Sequence, residues 1–235
     1  MAWTEPRFSK SEVNRAGVAL LGSDDSGLDL EAFAHDLEVI NNWRSSHSFP
    51  LNTFQATLRK KAREVDVNAL VAQRLKRLSS IELKLRLMPK MNLSQMQDIG
   101  GCRAVLASVA LADQLVASYK TSELRHELLR TDDYIRTPRA SGYRSVHLIY
   151  RYRSERKTTY NGLLIEMQIR SQLQHAWATA VETMGTFLRQ ALKSSQGEAE
   201  WLRFFALMGT ARHQETPASH QGSERVCTRR LCRRQ

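Results

Sequence analysis

Apolar residues recur every three or four positions from Leu28 to Trp43, at Leu30, Phe33, Ala34, Leu37, Ile40 and Trp43. That spacing is one face of a helix. The stretch Ser45 to Pro50 breaks the pattern, and Thr53 to Val65 resumes it with Phe54, Leu58, Ala62 and Val65, opposite a basic run Arg59-Lys60-Lys61 that reads as a solvated face. From Ala69 to Leu78 the period shortens to two, which predicts a strand. A short helix follows from Ser79 or Ser80 as N-cap to Leu87, ahead of Pro89. Further along, the pattern predicts a strand over 101–107, a helix over 111–119, a strand over 127–135 and a loop over 136–142 holding Pro138 and Gly142. Two more strands span 145–152 and 163–170, joined by a hairpin whose turn signal is Asn161-Gly162. Helices over 172–192 and about 198–208 complete the ordered part.

Helices thus flank a mixed sheet of about five strands, an α+β fold. The expected organisation is an N-terminal helical extension over 1–68, a catalytic-type domain over 69–210, and a disordered basic tail over 211–235. At 235 residues the chain can bury one good core. No apolar run approaches the length of a membrane span, and the first ten residues lack a signal core, so a soluble, cytoplasmic protein without a membrane partner is expected. Three cysteines, at 102, 227 and 232, fit neither a zinc spacing nor a disulfide framework, and Cys102 reads as a core residue. The net charge of +11 points to polyanionic partners, either nucleotide phosphates or RNA. From Glu224 onward five arginines face one acid, in a segment without periodicity whose composition also fits a shifted reading frame.

Period two sets Glu166, Gln168 and Arg170 on one face of the last strand and Leu163, Ile165, Met167 and Ile169 on the other. On the preceding strand His147, Ile149 and Arg151 oppose Val146, Leu148, Tyr150 and Tyr152. A carboxylate beside an amide suits a metal and a base edge, yet spacing alone leaves a plain polar sheet face equally open. His175 and Glu182, seven apart, share a face of the long helix, as surface pairs also do.

Four blocks together carry a resemblance. Gly142-Tyr143-Arg144-Ser145-Val146-His147 and Glu166-Met167-Gln168-Ile169-Arg170-Ser171, followed by Gln174-His175-Ala176-Trp177-Ala178, resemble the synthetase domain of RelA/SpoT alarmone synthetases. Arg74-Leu75-Lys76 with Ser80, Ile81 and Lys84 resembles that family's ATP-binding stretch, and Asp98-Ile99-Gly100-Gly101-Cys102-Arg103 its metal-site strand. The resemblance implies a nucleotidyltransferase-like fold and a Mg2+-dependent GTP diphosphokinase. Such an enzyme moves the β,γ-diphosphate of ATP to the 3′-hydroxyl of GDP or GTP, making the guanosine tetra- and pentaphosphates of the stringent response. It further implies that Asp98 and Glu166 hold Mg2+ and that Glu166 is the general base. Arg74, Lys76, Ser80, Lys84 and Arg103 would surround ATP. On the acceptor side, Tyr143 would stack on guanine, with Arg139, His147, Gln168, His175 and Glu182 around it.

The departures from the family pattern bear on the acceptor. Its loop commonly reads Lys-Pro-Asn-Gly-Tyr, where this chain has Arg139-Ala140-Ser141-Gly142-Tyr143. Toxin members of the family transfer pyrophosphate to the 3′ end of tRNA, and the seven basic residues between Arg136 and Lys157, against Glu155 alone, form a strip that suits an RNA backbone. A catalytically silent nucleotide- or RNA-binding regulator is a third reading. A homo-oligomer and a neutralising protein antitoxin are the macromolecular partners the resemblance allows. His35-Asp36 stands without further hydrolase ligands, so no alarmone hydrolysis is expected, and the stretch after residue 210 is too short for the family's C-terminal regulatory domain.

Overall fold

The structure of the chain, a computed structural model, describes residues 3–22, 29–122, 124–190, 192 and 196–211. Five strands form one mixed sheet in the order β1-β2-β5-β4-β3: β1 (Leu70–Leu75), β2 (Gly100–Leu106), β3 (Glu127–Asp133), β4 (Val146–Arg151) and β5 (Leu164–Ser171). β2 and β5 run parallel and the other neighbours antiparallel. The α+β class expected from the patterning is therefore the observed one, and the central strands β2, β4 and β5 supply the apolar face. Cys102, Ala104, Leu148, Tyr150, Ile165, Met167 and Ile169, all buried, line the core face.

Three helices precede the sheet: α1 (Lys10–Ala19), α2 (Leu30–Ser46) and α3 (Ser48–Val65). Apolar periodicity predicts only the last two. α1 is short and buries small side chains, Val13, Ala16 and Gly17, so its apolar face is faint; its signal is a capping box, Ser9 with Glu12. The expected break over 45–50 narrows to the single residue His47, because Pro50 falls in the first turn of α3, where its missing N–H costs nothing. α3 packs on β1 and β2, and the apolar core runs without interruption from Val13 and Val39 through Phe54 to Tyr150 and Ile169.

α4 (Leu78–Leu87) starts earlier than Ser79 or Ser80 would have it; Arg77 is the N-cap and no side chain caps the end, which places Ser80 one turn before Lys84 on the same helix face. α5 (Val109–Lys120) begins at the cap Ser108 and packs on β5 and β2 beneath the sheet. The β4–β5 connection holds a 3-10 turn, Thr158–Tyr160, and closes on a type II turn in which Asn161 (φ −61°, ψ 138°) precedes Gly162 (φ 90°). α6 (Gln172–Leu188) is capped by Ser171 and stops at Arg189, which adopts a left-handed φ of 52°. It is thus four residues shorter than its apolar periodicity suggests. α7 (Ala199–Ala211) lies against α6. The expected tail lies outside the described residues from residue 212 onward. Among the described residues no helix is long and apolar enough to cross a membrane.

Candidate active site

The face of the sheet opposite the core carries the polar side chains. Register explains their assembly: Arg74 of β1 sits beside Gly101 of β2, Gly101 beside Glu166 of β5, and Gln168 lies between Arg103 of β2 and His147 of β4. Residues in register across neighbouring strands project to the same side. Gly101 contributes no side chain, so the floor is open between Arg74 and Glu166. The resulting shallow cleft is lined by Arg74, Asp98, Arg103, Glu166 and Gln168 among others.

At one end Asp98, on the loop entering β2, accepts from Lys76 Nζ at 2.7 Å and Lys84 Nζ at 2.8 Å. Its position is fixed by backbone pairing next door, where Lys76 N–H donates to Ile99 O at 2.8 Å. Burial acts to raise its pKa, but the charges of Lys84 and then Lys76 outweigh that and hold the carboxyl at about 2. The resemblance sets Lys76 and Lys84 against ATP phosphates; here the buried Lys76 and the half-buried Lys84 both pair with Asp98, one on each carboxylate oxygen. Ser80 is half-buried on α4 and lies outside the lining of the cleft.

The other end is a chain of hydrogen bonds. Glu166 Oε1 meets His147 Nδ1 at 2.9 Å, and Glu166 Oε2 accepts from Gln168 Nε2 at 2.8 Å. Gln168 Oε1 in turn accepts from Arg170 Nη2 at 2.9 Å, while His147 Nε2 and the Tyr143 hydroxyl are 2.8 Å apart. The two ring nitrogens of His147 thus bridge the Glu166 carboxylate and the Tyr143 hydroxyl. Burial works to raise the Glu166 carboxyl; the hydrogen bond and charge of His147 overcome it and the net direction is down, against a further upward push from Asp98. The two carboxylates therefore sense each other across one cleft.

Tyr143 is not the open shelf its place in the sequence suggests. It is 6% exposed and packs with Trp177, Ala178, Val181 and Phe205 in a second, smaller apolar cluster between α6 and α7. Burial pushes its phenol above the ordinary range. α7 is pinned over it: Trp177 Nε1 donates to Phe205 O at 2.9 Å and Arg144 Nε to Gly209 O at 3.1 Å. Gly142, at φ 86°, lies under Phe205 and Ala206, and a Cβ on Gly209 would stand 2.5 Å from Gly142 O. Two facing glycines let helix and loop touch backbone to backbone.

The remaining candidates surround this core. Arg139 is exposed and lies over the Tyr134 ring at 4.3 Å, donating to its hydroxyl at 2.6 Å. His175 is half-buried on α6, and burial followed by the charges of Arg170 and Arg103 lowers its pKa. Glu182 is exposed on α6, and its charge acts on Arg103 and Arg170. Sequence reading sets Arg170 on the polar face without a role and passes over Tyr134 and Phe205. Alternation puts Arg170 on the right face, but only the return of α6 makes it 1% exposed. Tyr134, edge-on to His147 at 5.2 Å, and Phe205, some 60 residues beyond the Gly-Tyr loop, carry no local signal.

Comparison with known proteins follows the same outline. Residues 73–186 match the family model described as a region found in RelA and SpoT proteins. A GTP pyrophosphokinase of Bacillus subtilis is 32% identical over 111 residues, covering 46% of this chain and 52% of that protein. A chloroplastic GTP diphosphokinase of Oryza sativa subsp. japonica is 22% identical over 240 residues, covering 90% of this chain and 40% of its own length. The chain thus spans about half the length of these curated relatives. Among solved structures, small alarmone synthetase 2 from Bacillus subtilis superposes with a TM-score of 0.61 at 21% identity, covering 74% of this chain and 91% of that one. Small alarmone synthetase 1 from the same organism, bound to its product pppGpp, gives 0.59 at 23% identity, covering 72% and 90%. Residues 73–186 thus match the region found in RelA and SpoT proteins, on the fold of the small alarmone synthetases.

Proposed function

We propose that the protein is a pyrophosphotransferase that moves the β,γ-diphosphate of ATP to the 3′-hydroxyl of a guanosine nucleotide. The observation that carries this reading is the convergence of Asp98, on the loop entering β2, and Glu166, on β5, on one cleft whose other charged lining residues are arginines. In the reaction the 3′-oxygen bonds to the β-phosphorus of ATP, the bridge between the α- and β-phosphates breaks, and AMP leaves. The hydroxyl proton passes to Glu166, whose lowered pKa keeps it ionised and able to accept. Arg74 and Arg103 offer cations along the polyphosphate, where phosphoryl chemistry depends on positioning and charge neutralisation.

Asp98 and Glu166 suit Mg2+. Among the described residues no three His, Cys, Asp or Glu side chains form a self-sufficient metal cage, so a divalent ion would take the two carboxylates and complete its shell with water and phosphate oxygens, a mode Mg2+ favours. Bound there, the ion would neutralise phosphate charge. Lys76 and Lys84 now supply that positive charge to Asp98 and would be released towards the phosphates.

The guanosine acceptor enters beside Tyr143, and α7 lifts to admit it. A tRNA acceptor finds less support, because much of the basic strip is engaged within the fold. Arg136 pairs with Asp113 and Asp133, Arg151 and Arg153 pair with Glu127, and Arg139 lies on Tyr134. The test is the purified protein with γ-labelled ATP and Mg2+, offered GDP, GTP or deacylated tRNA. Label on the guanosine nucleotide supports the proposal; label on tRNA alone, or on neither, refutes it.

A further inference from the structure

Arg170 stands where folding energetics would not put an arginine. It is 1% exposed, and among the described residues its Nε and Nη1 have no hydrogen-bond partner, while Nη2 donates to Gln168 Oε1 at 2.9 Å. Buried donors left unpaired cost free energy, and a buried charge costs more. Replacing such a group with an apolar side chain of similar volume is often neutral or stabilising. The neighbouring cations Arg103 and Arg74 add repulsion, which the charge of Glu182 partly offsets.

The single bond it does make has a defined consequence. Gln168 has one amide oxygen and one amide nitrogen, and only one of its two orientations puts the NH2 group on Glu166. In the other, amide oxygen would face carboxylate oxygen. A guanidinium cannot accept, so Arg170 permits only the orientation in which Gln168 Oε1 faces it and Nε2 faces Glu166. Glu166 is then gripped at both oxygens, by Gln168 on one and His147 on the other. Residues 166, 168 and 170 alternate on one strand face, so the lock is built into the pleat of β5.

We propose that Arg170 is a positioning residue: through the Gln168 amide it fixes the rotamer of the Glu166 carboxylate towards the cleft. The kinetic part of the test rests on the pyrophosphoryl-transfer reading; the spectroscopic part does not.

The experiment uses the full chain and four forms: wild type, Arg170→Met, Gln168→Met and the double variant. Arg170→Met is expected to lower kcat about 10- to 100-fold, as losing an outer partner of a functional carboxylate does, with the KM for ATP within about twofold. Gln168→Met should do the same, and the double variant should be no worse than either single one, since both act on one element. The Tm of Arg170→Met should equal or exceed that of the wild type. Additive losses in the double variant, an unchanged kcat in Arg170→Met, or a lower Tm with kcat and KM altered together would overturn the proposal. Arg170→Lys, which keeps the cation and one donor, should recover part of the loss. In parallel, 15N-resolved spectra of the Gln168 side-chain amide should show protected protons in the wild type and about tenfold faster exchange in Arg170→Met. Equal exchange in both refutes the lock even if no acceptor is found, whereas an inactive wild type with the expected amide behaviour removes only the functional reading.

Discussion

The two ends of the cleft hold their carboxylates by different means. Asp98 is set by charge, with one lysine on each oxygen. Glu166 is set by direction, held between an imidazole and an amide and roofed, two links away, by the helix that covers Tyr143. A site anchored by ion pairs can exchange its partners for phosphates without rearranging the backbone. A site anchored by packing cannot receive a base until something moves. On the proposed reading the first end would take ATP as it stands, whereas the second is covered by the chain's own α7.

The largest effect should come from Glu166→Gln, which keeps shape and removes the base: transfer is expected to fall by about a thousandfold, with ATP affinity measured by calorimetry changed little. If turnover persists, the base lies elsewhere. Asp98→Asn should cost less in the chemical step, about a hundredfold, but should also weaken ATP bound with Mg2+, since it removes one of the two carboxylates proposed to hold the ion; equal affinity for ATP with Mg2+ would break the contrast between the ends.

Gly209→Ala addresses the roof. The new methyl would meet Gly142 backbone that cannot yield, so α7 should undock, with a stability loss of about 1–3 kcal/mol, a change in Trp177 fluorescence and a lower acceptor KM. An unchanged acceptor KM with α7 undocked would show that the helix does not close the shelf. The smallest expected effect is on stability in acid. The Asp98 carboxyl is lowered in the fold from 3.8 to about 2, so its contribution is complete above pH 3.8 and is lost as the pH falls from there through 2. That contribution amounts to about 2 kcal/mol. The Asp98→Asn variant should lack this part of the acid dependence in urea titrations at pH 4 and pH 2.

Much of this arrangement is legible in the sequence, and the boundary of legibility is physical. Alternation in β4 and β5 puts His147, Glu166 and Gln168 on one face because the side-chain period is two wherever a strand forms. The same rule places Arg170 on that face yet says nothing of its burial, which depends on the return of α6. The clasp of Lys76 and Lys84 on Asp98 joins a strand end, a helix and a loop, and the burial of Tyr143 depends on Phe205 and Gly209 far along the chain. Local pattern reports faces; it does not report what later packs on them. α1 is the intermediate case, since its capping box is plain to see and its apolar stripe, built from small residues, is not.

The most direct test of the central claim, that Asp98 and Glu166 serve one transfer reaction in one cleft, is the release of AMP from ATP and Mg2+ with and without GDP. The account predicts AMP in step with a 3′-diphosphorylated guanosine product, only when GDP is present and only with both Asp98 and Glu166 intact. AMP formed equally without GDP, or formed undiminished by Glu166→Gln, would contradict it.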